Sequence, residues 1–126
     1  MRYVGITFRG GTNPNFNNLE VWGTKKPYVQ AGLYGQCTWF AWGRFYELYG
    51  YDPGFSGDGS SCVKELVAAH PDKFERSSSP KAGAVFSAIG HNHVGIVIAV
   101  KDNTITVQEG NLDGTTNTFQ DAKKDW

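Results

Sequence analysis

The sequence has no surplus charge: 12 Lys and Arg offset 12 Asp and Glu, for a formal net charge of +0. Domains that bind nucleic acid carry a basic footprint, so nucleic acid is not an expected partner. No run of about 18 apolar residues occurs, which leaves no candidate for a membrane-spanning helix, and membrane insertion is not expected. No apolar segment follows Met1-Arg2-Tyr3, so a secretory leader is not expected there. Cysteine is scarce, with only Cys37 and Cys62. A single pair is a thin framework for a domain of this size, and both are read as thiols. The alternating aspartates of a calcium loop are missing. The polar run Ser56-Gly57-Asp58-Gly59-Ser60-Ser61 has no lysine where a phosphate-binding loop needs one. Neither an internal repeat nor a low-complexity tract is present.

Glycine, at 16 residues, and aromatics, at 14%, are abundant instead. The first favours many turns and few helices. The second supplies a core or lines a groove. A chain of 126 residues suits one domain with a real core. Residues 1–34 read as an extended lead-in with turn signals at Gly10-Gly11 and Asn13-Pro14-Asn15, from which Leu19, Val21 and Trp22 dock on the core. Residues 35–119 form that core, and 120–126, charged and without pattern, are expected to fray.

Within the core, residues 37–49 carry Trp39, Phe40, Phe45, Tyr46 and Tyr49 on one broad helical face, with Gly50 at the stop. A second helix is expected over roughly 61–70, capped by Ser60 or Ser61 and ended by Pro71. Its apolar face would hold Cys62, Val63, Leu66, Val67 and Ala69, which makes Cys62 a core residue. From Ala84 the period changes. Ala84 to Ile89, His93 to Val100 and Thr104 to Gln108 read as strands, with one more at Thr115 to Phe119.

Cys37 falls in the first turn of the first helix. Free backbone N–H groups and the positive end of the helix dipole favour a thiolate there. Most free cysteines are inert packing, so position alone does not make a nucleophile. The second indication comes from the hairpin of 93–100 and 104–109. Antiparallel pairing brings His93, at the start of one strand, near Glu109 and Asn111, at the end of the next. If the turn holds the three residues Lys101 to Asn103, Gly95 faces Glu109, His93 faces Asn111, and all share one face. An even turn would separate them. A histidine oriented by a carboxylate and an amide can take the thiol proton and return it to a leaving amine. Gln36 and the Cys37 backbone N–H are candidate oxyanion donors, although Gln36 also suits an ordinary helix start. Zinc held by Cys37, Cys62, His91 and His93 is disfavoured by their spacing. Tyr34, Trp39 and His91 are candidates to line a substrate groove, against core packing for the aromatics and a plain loop role for His91.

The run GQCTWFAWGR, followed by GHNHVGIVIAV and QEGN, resembles the CHAP family, the cysteine- and histidine-dependent amidohydrolases/peptidases. The likeness runs from Tyr34 to Asn111. It implies a papain-like α+β fold in which a nucleophile helix packs on a twisted antiparallel sheet. It also implies cleavage of an amide in bacterial peptidoglycan, as in phage endolysins, tail lysins and secreted wall hydrolases. By position, Cys37 matches the nucleophile, His93 the base, Glu109 the third member, Asn111 a further polar residue of the site, and Gln36 the amide beside the oxyanion pocket. The family's turn at Pro80-Lys81-Ala82-Gly83 is usually followed by aspartate, where this chain has Ala84. The acidic calcium loop of some relatives is missing too, so no metal or other cofactor is expected. The implied setting is the cell wall, outside the cell or on a phage particle. The chain would act as a monomer or as the catalytic module of a larger lysin. Two other readings remain open: a wall-binding or structural module without catalysis, and a cysteine amidase acting on an amide outside the wall.

Overall fold

The computed structural model describes residues 19–22, 28, 36–77, 81–88, 92–101, 104–110 and 119–125. In chain order these form helices α1 (Leu19–Trp22) and α2 (Cys37–Tyr49), a 3-10 turn (Gly59–Ser61), helix α3 (Cys62–Ala69), and strands β1 (Val85–Ala88), β2 (His93–Lys101), β3 (Thr104–Gly110) and β4 (Phe119–Asp125). The strands make one antiparallel sheet in the order β1-β2-β3-β4. Helix α2 lies on β2 and β3, while the 3-10 turn and α3 lie against β1. The architecture is α+β, with the cysteine helix packed on an antiparallel sheet as the papain-like expectation has it.

The aromatic pattern of α2 explains its position. Trp39, Phe40, Ala41, Trp42, Phe45 and Leu48 are buried in the main core with Val94 and Ile96 of β2. Fully burying each large apolar side chain contributes roughly 1.5–3 kcal/mol. The helix stops at Gly50, whose left-handed backbone (φ 84°) lets its N–H return to the Tyr46 carbonyl at 2.8 Å. Helix α3 buries Cys62 and Leu66, with Val63 and Val67 partly covered, so its apolar stripe is as the spacing predicts; Ala69 is exposed. A smaller core of Ala84, Val97, Ile105 and Val107 comes from side chains that alternate with the first set along the strands.

Four expectations are corrected. The β2–β3 turn is even, because Lys101 pairs with Thr104 and leaves two residues between them. A register shift between Val97 and Ala99 then compensates: the extra residue, Ile98, restores the pairing of Val97 with Val107 and Ile96 with Gln108. Continued by one residue, this sets Gly95 opposite Glu109, as the odd turn would have done. The tail expected to fray instead supplies β4, paired with β3 from Gly110↔Phe119 to Thr104↔Asp125. Its sequence has no apolar alternation, because backbone pairing at a sheet edge does not require one. The lead-in contains a helical turn, α1, whose Trp22 docks on α2 as expected, with its ring 4.9 Å from that of Trp39. That contact produces the fourth correction. Trp39 is 3% exposed, so it belongs to the core and not to a groove.

Candidate active site

Cys37 opens α2. The preceding Gln36 keeps an extended backbone (φ −84°, ψ 170°) and makes no side-chain capping bond, while its carbonyl accepts the first helical hydrogen bond, from Phe40 N–H, at 3.0 Å. The start of β2 and the end of β3 both reach this first turn. Gly110 passes so close to it that a Cβ there would sit 2.5 Å from the Phe40 Cβ and 3.3 Å from the Gln36 carbonyl oxygen. Only a residue without a side chain lets β3 carry Glu109 this close to the helix start.

Three groups converge. His93 Nε2 lies 3.3 Å from Glu109 Oε1, with the carboxylate side chain fully buried and the imidazole 15% exposed. The separation is an ion-pair contact, long for a straight hydrogen bond. It engages one ring nitrogen, and the ring also hydrogen-bonds the Cys37 side chain. Burial would push the Cys37 thiol up, but the hydrogen bond and charge of His93, helped by the backbone N–H groups of Val94 and Thr38, outweigh it and leave the thiol below its ordinary range. His93 is pushed up to about 9 by its hydrogen bond to Cys37 and then by Glu109, against the opposing effect of burial. Both shifts favour the thiolate–imidazolium pair over the neutral one. A buried carboxylate favours a cationic neighbour, and a protonated His93 ring supplies one.

Two further features support this arrangement. Arg44, 0% exposed, bridges α2 and β3: its Nε donates to Gln108 Oε1 at 2.9 Å and its Nη1 to Glu47 Oε1 at 2.9 Å. Gln108 is the neighbour of Glu109, so the bridge fixes the strand residue next to the carboxylate. Phe86 of β1 packs where a Cβ on Gly95 would be, 2.6 Å away, and its ring centroid lies 6.4 Å from that of His93.

The structure thus brings Cys37, His93 and Glu109 together, with Gln36 at the same helix start. Asn111, Tyr34 and His91 lie outside the described residues. Cys62 is fully buried, and burial foremost pushes its thiol up to about 12, so it stays a neutral core thiol beside the Tyr28 hydroxyl at 3.7 Å. Among the described residues, no group of three or more His, Cys, Asp or Glu could hold a metal ion. Sequence reasoning passed over Arg44 and Gln108. A single arginine inside an otherwise aromatic helix face was the available signal. It also passed over Asn92, which reads as an ordinary turn residue.

Comparison with known proteins adds the lineage. No curated protein and no solved structure gives a significant match. Among protein families, the one described as CHAP domain matches residues 25–111, more than half of the chain and a span that holds all three converging side chains. This chain therefore belongs to the CHAP family, whose domains are typically cysteine- and histidine-dependent amidohydrolases or peptidases.

Proposed function

We propose that this domain cleaves an amide bond of bacterial peptidoglycan through a cysteine acyl-enzyme. The observation that carries the reading is the meeting of three side chains: Cys37 at the first turn of its helix, His93 hydrogen-bonded to it, and the buried Glu109 carboxylate 3.3 Å behind the ring. Cys37 Sγ attacks the amide carbonyl as the thiolate. The tetrahedral oxyanion is held by the Cys37 backbone N–H and the Gln36 side chain. His93 then gives its proton to the leaving amine nitrogen, the C–N bond breaks, and a thioester remains. Water, deprotonated by His93, attacks the thioester; the acyl product leaves as a carboxylic acid and the sulfur recovers its proton partner. Glu109 orients the ring through both halves and stabilises its charge in the states in which it holds the proton, and Asn111 assists the orientation.

Membership of a family often found in peptidoglycan lysins supports the wall as substrate. The bond cut is the N-acetylmuramoyl-L-alanine amide or a stem or cross-bridge peptide bond. We further propose that the domain works at the cell wall or on a phage particle, alone or within a larger lysin. Digestion of purified peptidoglycan followed by mass spectrometry tests the reading. New amine and carboxyl ends, absent with Cys37→Ala, are expected. New reducing sugar ends, or equal wall clearing by Cys37→Ala, would overturn it.

A further inference from the structure

We propose that Asn92 and the turn Gly59-Ser60 are positioning elements for His93, and that they set the direction from which the imidazole meets Cys37. The inference rests on the reading of His93 as the base. His93 is the first residue of β2, paired on one side with Ala88. A strand end frays unless something holds it. The ring must nonetheless serve a sulfur on one helix and a carboxylate on another strand.

The residue before it is held in two ways. Asn92 has a left-handed backbone (φ 50°), a conformation that asparagine tolerates better than other side-chain-bearing residues. Its Oδ1 accepts from the Ser60 backbone N–H at 3.0 Å and lies 3.0 Å from Ser60 Oγ. Ser60 Oγ is also 3.2 Å from Asp58 Oδ1 and has one proton to give, so the backbone N–H is the bond that Asn92 always keeps. Gly59 supplies the second hold. A Cβ there would lie 2.6 Å from the Asn92 carbonyl oxygen, 2.8 Å from the Asn92 carbonyl carbon and 2.8 Å from that of His93. The bare backbone of the turn therefore rests on the peptide unit that delivers His93.

The turn itself is anchored. Ser61 Oγ donates to Asp58 Oδ1 at 2.8 Å and Ser61 N–H to the Asp58 carbonyl at 3.1 Å. Cys62 Sγ donates to the same carbonyl at 3.2 Å, and Cys62 is fully buried. Val63 N–H donates to Ser87 Oγ of β1 at 3.1 Å. Helix α3, sunk in the core and tied to β1, thus holds the turn, and the turn holds the start of β2. A connection that carries no chemistry of its own becomes the support of the base.

The test is the pH dependence of Cys37 alkylation by iodoacetamide, followed by peptide mass spectrometry, in the whole chain. It needs no wall substrate, so it decides this proposal even if the domain cuts another amide. Asn92→Gly keeps the left-handed backbone and removes the side-chain acceptor. It is expected to slow alkylation at neutral pH about tenfold or more and to move the thiolate titration upward; on peptidoglycan it lowers kcat with KM unchanged. Asn92→Asp retains the acceptor and is expected to restore most of the rate. Should Asn92→Gly fail to fold, Gly59→Ala, which forces a methyl group against the Asn92 carbonyl, gives the same readout. A wild-type alkylation profile in the folded variants, with only a lower melting temperature, would overturn the proposal and leave Asn92 a structural cap.

Discussion

Replacing Glu109 by Gln removes one charge and almost no volume, so it isolates what the carboxylate does for the ring. At 3.3 Å, in a medium of effective dielectric about 20, the attraction to an imidazolium is at most about 5 kcal/mol. The balance at the ring is smaller. The rise of His93 from 6.5 to about 9 is worth about 3 kcal/mol in all. Cys37 accounts for the larger share of that rise, burial subtracts from it, and solvent reaching the ring screens it further. Roughly 1–2 kcal/mol is left for Glu109, about one pH unit. Ring-carbon NMR of His93 in Glu109→Gln should therefore show the upper titration of the coupled pair about one pH unit below that of the parent. Stability follows the same sign. A histidine raised on folding contributes stability that is fully present below 6.5 and fades as pH climbs through about 9. The variant should lose its smaller share earlier in that climb. Alkylation of Cys37 should weaken at neutral pH in step, with Cys62 silent throughout as an internal control. An upper midpoint unchanged to within a few tenths would refute the argument, since it would mean that the carboxylate neither charges nor orients the ring.

Two further outcomes test the scaffold. Arg44→Met leaves the Glu47 carboxylate, 6% exposed, without its guanidinium, and such a half-broken buried pair costs about 3–5 kcal/mol. Tm should fall by about 10–20 °C, and Arg44→Met with Glu47→Gln should recover part of it; a change of only a few degrees would show that the bridge is not what holds β3 on α2. Trp39→Ala should cost about 3–5 kcal/mol in a denaturant melt while leaving KM on peptidoglycan unchanged where the protein is folded; a raised KM with intact stability would return Trp39 to the groove.

Helices α2 and α3 were legible because their apolar residues recur at helical spacing and their ends carry glycine and proline. The trio was legible for a different reason. Antiparallel pairing of two adjacent strands brings the start of one to the end of the next whatever the details of packing, and His93 and Glu109 occupy those ends. The details lay beyond the pattern. Whether the two side chains share a face depends on a single residue of register, and the chain arrives there by an even turn plus a bulge at Ile98, two choices that cancel. Valine, isoleucine and alanine in HVGIVIAV alternate no differently with a bulge than without one, so nothing local announces it. Strand β4 was expected earlier, at Thr115 to Phe119, and its span of Phe119–Asp125 was not legible because an edge is held by backbone groups, which the sequence does not print. The support of His93 by Gly59, Ser60 and Asn92 was missed because it joins segments about 30 residues apart through backbone contacts. Side-chain periodicity reports what a segment buries. What escaped it includes the long-range pair of Arg44 and Gln108 and the places where a backbone is approached closely, and there the close approach at Gly59 and Gly110 decides where the reactive side chains can stand.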